Sequence, residues 1–144
     1  TIPDPNATSP STVSCIVVAP QTGWWWNPAE GGRGFGIEAR GSNLFMAGYL
    51  YDATGRATWN VSAGLMTSSA RYSGSLNAYA NGQTLTGAYR SNTLLGSMGT
   101  VTLQFTDPSH GTLTWPGGTI PIQRFDIVTG GAAMTPPAGT PGRK

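Results

Sequence analysis

The chain is poor in the residues that build reactive sites. Its 144 residues include one cysteine, Cys15, and one histidine, His110. A lone cysteine excludes an internal disulfide framework, and with a single imidazole it cannot supply the ligands of a tetrahedral zinc site. The core carboxylates Glu30, Glu38, Asp52, Asp107 and Asp126 are dispersed, without metal-ligand spacing. No metal and no other cofactor is expected.

Charge is equally sparse. Charged residues make up 10% of the chain, against about 25% in ordinary globular proteins. The net charge is +2, but Arg143 and Lys144 sit at the C-terminus and the other six arginines are spread singly. No basic cluster tracks a phosphate backbone, so nucleic acid is not expected as a partner. No apolar run approaches the about 20 residues of a membrane-spanning helix, and membrane insertion is not expected. Lys144 is the only lysine, the ends are rich in Thr, Ser, Gly and Pro, and the first residue is Thr1. These features predict an exported protein, secreted or held at the cell surface.

Glycine and turn-forming pairs are plentiful and divide the chain into short segments. Arg40-Gly41-Ser42-Asn43 and Ala80-Asn81-Gly82-Gln83 read as two-residue hairpin loops. Asp52-Ala53-Thr54-Gly55, Asp107-Pro108-Ser109-His110-Gly111 and Trp115-Pro116-Gly117-Gly118 supply further turns, the last with Pro and Gly placed for type II. Between them lie segments at about 22–27, 33–40, 43–52, 56–63, 70–80, 83–90, 99–106, 110–115 and 118–127, most of them alternating in polarity. Phe35, Ile37 and Ala39 oppose Gly36, Glu38 and Arg40, and Val101, Leu103 and Phe105 oppose Thr100, Thr102 and Gln104. The pattern predicts an all-β fold, an antiparallel up-and-down meander of about eight strands. A barrel is favoured over a sandwich because closure removes exposed strand edges.

The division along the chain is into residues 1–19, an N-terminal tail with an extra strand; 20–128, the barrel domain; and 129–144, a Pro/Gly-rich C-terminal tail. Within the first, Val13-Ser14-Cys15-Ile16-Val17-Val18-Ala19 is a β-branched run with no hairpin partner beside it. Val13, Cys15, Ile16, Val17 and Val18 are therefore candidate subunit contacts, able to add a strand to the sheet of a neighbouring copy. Cys15 could bridge two subunits or lie buried among Ile16 and Val17.

Catalysis has little to draw on. Ser109-His110 is a turn dipeptide, not a nucleophile and base brought together from separate elements. Asp52 opens a turn where its side chain serves the local backbone, and Glu38 pairs more simply with Arg40 than with a second catalytic carboxylate. Gly31-Gly32-Arg33-Gly34-Phe35-Gly36 lacks the helix and the Lys-Ser/Thr of a phosphate loop, and Glu30 and Arg33 are placed to pair across it.

The aromatic residues carry the functional expectation. In Trp24-Trp25-Trp26 the strand period sends Trp24 and Trp26 to one face and Trp25 to the other. Phe45, Tyr49 and Tyr51 share a phase opposite Leu44, Met46 and Leu50, so that strand is apolar on both faces. Trp24, Trp25, Trp26, Tyr49, Tyr51 and Trp59 are the candidate aromatic binding surface.

Three blocks carry a resemblance: Gly23-Trp24-Trp25-Trp26-Asn27-Pro28-Ala29-Glu30 with Gly32-Arg33-Gly34-Phe35; Tyr51 to Trp59, YDATGRATW; and Gly111 to Phe125, GTLTWPGGTIPIQRF. Over roughly residues 20–127 the chain resembles a Trp-rich β-domain that recurs in secreted proteobacterial proteins, alone, in tandem or appended to exported enzymes. The resemblance implies export and a modular β-domain and brings no catalytic residues. The meander is also similar, in topology only, to avidins and other calycin barrels.

The expectation is a non-catalytic extracellular structural module that self-associates through its terminal segments, as a filament or surface-layer subunit. The alternative is a carbohydrate-binding module that uses exposed Trp and Tyr on a polysaccharide. A calycin-like barrel holding a small apolar ligand comes third.

Overall fold

The structure is a computed structural model that describes residues 18–127. Eight strands follow one another: β1 (Gly23–Trp26), β2 (Gly34–Arg40), β3 (Asn43–Tyr51), β4 (Ala57–Leu65), β5 (Arg71–Ala80), β6 (Thr93–Asp107), β7 (His110–Trp115) and β8 (Gly118–Arg124). Each pairs antiparallel with the next, and β1 pairs with β8, so the sheet closes into an up-and-down barrel. The predicted tails and the candidate contacts Val13, Cys15, Ile16 and Val17 lie outside the described residues.

Strand alternation fills the interior. Trp25, Phe35, Ile37, Leu44, Met46, Tyr72, Leu76, Val101, Leu103, Phe105, Leu113 and Ile122 form one buried cluster drawn from seven of the eight strands. β4 contributes the buried polar residues Asn60 and Ser62 instead. The Ser62 hydroxyl shares a 2.6 Å hydrogen bond with the Tyr72 hydroxyl, which satisfies both inside the barrel. Tyr72 fits because Gly74 has no side chain: a Cβ there would lie 2.7 Å from the Tyr72 ring carbon Cζ.

Closure depends on the shortest strand. β1 meets β8 at Trp25 opposite Arg124 and Trp26 opposite Gln123. Arg124 reinforces that seam: its Nη1 donates to the carbonyls of Trp24 at 3.2 Å and Phe125 at 2.8 Å, and the Phe125 N–H donates to the Trp24 carbonyl at 2.7 Å. The guanidinium lies over Gly23, whose φ is 145°. Pro121 costs this seam nothing, because β1 ends before reaching it.

Two expectations are corrected. Segment 83–90 is not a strand, and Asn81-Gly82 does not make a two-residue hairpin. Asn81 does take a positive φ, 66°, but residues 81–92 form a longer connection. Its backbone is held by side chains: Arg90 N–H donates to Gln83 Oε1 at 2.9 Å and Gly87 N–H to Thr84 Oγ1 at 3.1 Å. In turn β6 begins at Thr93, well before residue 99. Gly96 and Gly99, both at positive φ, are where the β5–β6 register shifts, so glycines that resemble strand breakers are bulges within a strand. The hairpins at Gly41-Ser42 and Pro116-Gly117 match expectation, with Gly117 at φ 112°.

Placing a methyl group at Gly23 tests the closing seam. Its Cβ would stand 2.7 Å from Arg124 Cζ, at a φ that L-residues rarely adopt. Gly23→Ala should destabilise the barrel by about 1–3 kcal/mol, read as a lower urea midpoint. An unchanged midpoint would show that Arg124 does not hold the closure.

Candidate functional site

The outside of the barrel is divided. On β3 the outward residues are Phe45, Ala47, Tyr49 and Tyr51, and on β4 they are Ala57, Trp59, Val61, Ala63 and Leu65. Asn43, the first residue of β3, shares this face and sets its amide opposite Leu65; the others carry no charge and no hydrogen-bonding group except the tyrosine hydroxyls and the Trp59 indole N–H. The register sets Tyr49 opposite Trp59, Ala47 opposite Val61 and Phe45 opposite Ala63, joining the two rows into one apolar flank. The outward residues of β5 to β8 include Ser73, Ser75, Asn77, Thr100, Thr102, Gln104, Thr112, Thr114, Thr119 and Gln123. That side is a lattice of hydroxyls and amides, several bonded across strands, such as Ser73 with Thr102 at 3.1 Å and Thr114 with Thr119 at 3.0 Å.

A row of rings crosses the apolar flank. Trp24 reaches from β1 over Gly34, where any side chain would collide with its indole, and stacks on Tyr49 at 5.6 Å between centroids. Tyr49 neighbours Trp59, and Trp59 stacks on Tyr79 at 6.2 Å with the planes 13° apart. The row therefore runs from β1 to β5, with Trp59 and Tyr49 each about half exposed.

The expected aromatic surface is thus largely assembled, with changes. Trp24, Tyr49, Tyr51 and Trp59 lie on the outer surface. Trp26 shares that face but is half-buried, edge-on to Phe125 at 5.1 Å. Trp25 does not belong to the surface: it is fully buried, packs edge-on to Phe105 and donates its indole N–H to the Gln21 carbonyl at 3.0 Å. The strand period sends it inward, as it sends Phe35 and Ile37. Val18, expected as a subunit contact, instead packs against this chain's own core. It does so because Pro20 to Thr22 cross that end of the barrel, where Gln21 N–H donates to the Pro108 carbonyl. In the closed barrel every strand has a neighbour on each side. Its least paired seam is β4–β5, where the ladder is confined to Val61 opposite Asn77.

Sequence reading missed Tyr79 and the 81–92 connection. That connection carries Leu85, fully exposed, and Tyr89, 80% exposed. Tyr79 shares its phase with Asn77 and Ser75, which is a legible signal. Its contact with Trp59 depends on a β4–β5 register that the sequence does not reveal.

Two clefts border the β4–β5 seam at this end. One, of about 530 Å³, lies between the 81–92 connection and the Trp59–Tyr79 pair. The other, of about 460 Å³, opens at the barrel mouth around Leu50, Asn60, Leu95, Met98 and Trp115. Asn60 is buried there and its amide donates to the Met98 thioether at 3.1 Å. Trp115 lies over Gly48, whose missing Cβ leaves room for the indole.

The polar clusters are local. His110 Nδ1 meets the Asp107 carboxylate at 3.0 Å and the Ser109 hydroxyl at 3.2 Å. A nucleophile relay needs the two ring nitrogens to serve the acid and the hydroxyl separately, and here one nitrogen serves both. Glu30 and Arg33 form the expected ion pair across their glycines, and Glu38 and Arg40 approach at 3.8 Å in solvent. Among the described residues, no group of three or more His, Cys, Asp or Glu side chains is placed to hold a metal ion. No protein-family model, curated protein or solved structure matches the chain.

Two turn carboxylates titrate below their ordinary value of 3.8. Asp52 is held down by hydrogen bonds from the Thr54 hydroxyl and the Arg56 N–H, Asp107 by the Ser109 N–H and the His110 ring. Each binds its proton more weakly folded than unfolded. The stabilisation is complete above the unfolded value and is lost as pH falls through the lowered folded values. The thermal midpoint should therefore drop on acidification below about pH 4. The double variant Asp52→Asn, Asp107→Asn should have a shallower acid limb, and an equally steep one would contradict the assignment.

Proposed function

We propose that this chain is a non-catalytic structural module, exported as its Trp-rich blocks imply, that works by associating with copies of itself. One observation carries the reading: the outward row from Phe45 on β3 and the whole outward row of β4 are apolar, and on β3 this stands beside an inward row, Leu44 and Met46, that is apolar as well. Strands buried on both faces have this composition, whereas a strand with one solvated face alternates with polar residues, as β6 does over residues 100–106. A contiguous apolar area across two neighbouring strands is the kind of surface that marks an interaction site. A second copy of the same flank covers it without requiring any complementary charge, which this surface lacks.

Other features support the same reading. The hydroxyl-rich β5–β8 side and the apolar interior are the reverse of a membrane barrel's polar lumen and apolar exterior, which favours assembly in water over insertion. The middle of the barrel is filled by Trp25, Tyr72, Phe35 and Met46, which disfavours a ligand enclosed in the calycin manner. The chain enters and leaves at the barrel end opposite the 81–92 connection. From there the terminal segments can extend the contact from copy to copy into a filament or layer.

Sedimentation velocity over a wide concentration range tests the proposal. The full chain should associate, and Phe45→Lys with Val61→Lys should weaken association by about tenfold or more through charge repulsion and lost apolar area. The variant's thermal midpoint should stay within a few degrees. A chain that is monomeric at every concentration, or a variant that associates like the parent, would overturn it.

A further inference from the structure

We infer that the cleft between the 81–92 connection and the Trp59–Tyr79 pair is a saccharide-binding site with a preference for acidic sugars. The site is separate from the β3–β4 flank apart from Trp59, which borders both.

The walls of the cleft are of two kinds, aromatic and amide. A pyranose ring has an apolar face of C–H groups and a rim of hydroxyls that both donate and accept. Its complement is an aromatic face beside amide and hydroxyl side chains. The cleft supplies both: Trp59, Tyr79 and Tyr89 on the aromatic side, Asn81, Gln83 and Asn92 on the amide side. The volume of about 530 Å³ falls within the usual range of small-molecule sites. A purely apolar ligand would leave the amide side of the cleft unused, and a highly charged one the rings.

The second step is order. A site built on a long connection binds well only if that connection is already shaped, because ordering it on binding would offset the gain. Here Arg90 N–H is fixed to Gln83 Oε1 and Gly87 N–H to Thr84 Oγ1, while Asn81 sits at positive φ and reaches Thr93 Oγ1 at 3.5 Å. The connection holds Tyr89 largely exposed beside the cleft although nothing in the described fold covers it. An internally bonded loop that presents an aromatic ring to solvent has the form of a binding element.

Charge sets the preference. Among the described residues, Arg90 is the one cationic side chain lining the cleft, and no carboxylate lines it. A guanidinium meets a carboxylate through paired N–H donors. A uronic acid residue stacked on the rings would place its carboxylate against Arg90, whereas a neutral sugar would keep only the stacking and the amide bonds.

The test is calorimetric titration of the full chain with tetragalacturonate and, separately, with cellotetraose. Tetragalacturonate should bind more tightly. Tyr89→Ala should weaken it by about tenfold or more, and Arg90→Gln should remove the advantage over cellotetraose without changing cellotetraose binding. Both residues are exposed, so the thermal midpoints should not move. Binding should persist in the Phe45→Lys, Val61→Lys variant, which separates this site from self-association. No heat from either sugar at millimolar concentration, or unchanged affinity in Tyr89→Ala, would overturn the site. Equal affinity for the two sugars would overturn the acidic preference.

Discussion

Closure of the sheet is the constraint on which the rest of this structure depends. Each strand has two faces, and closing eight strands into a small barrel gives one face of every strand to a shared interior. The interior is then fully used: Trp25, Tyr72, Phe35, Phe105 and their neighbours fill it, and Arg124 locks the short β1 against β8. Apolar side chains on the other face can no longer be buried by the same sheet. Phe45, Tyr49, Trp59, Val61 and Leu65 remain outside as a direct consequence. That surplus is the physical basis of the proposed self-association.

The division between an apolar flank and a hydroxyl-rich side gives the barrel two kinds of surface. Threonine and serine on β5 to β8 keep strand propensity while accepting water, so this side can stay exposed without inviting further pairing. The apolar flank has no such protection. Glycine is used where rings must approach backbone, with Gly34 beneath Trp24, Gly48 beneath Trp115 and Gly74 beside Tyr72. In the GRGFG run, which looks at first like a phosphate cradle, Gly34 serves this clearance, whereas Gly32 takes a φ of 108° with nothing close to it.

The meander was legible in the sequence because each turn carries its own chemistry. Gly41, Gly55 and Gly117 take the positive φ values that their turns require, and Asp52 bonds the backbone of its own turn. The alternation that sends Trp25 inward was equally legible, although including Trp25 in a surface set ignored it. The 81–92 region was not legible. Gln83 to Arg90 has strand-like composition, but in the structure Gln83 and Thr84 accept backbone N–H groups of their own segment. The long β6 was hidden for the opposite reason, since Gly96 and Gly99 are bulges that a local reading takes for breaks. The Trp59–Tyr79 contact depends on the β4–β5 register, and the cleft beside it on the 81–92 connection, so neither could be assembled from spacing alone.

Amide hydrogen exchange at low and high protein concentration tests the central claim most directly. If the surplus apolar flank is where copies meet, protection should rise with concentration in β3 and β4, at Phe45 to Tyr51 and Trp59 to Leu65, and stay constant in β7 and β8. Protection that does not depend on concentration, or that rises in β7 and β8 while β3 and β4 stay unchanged, would contradict the account.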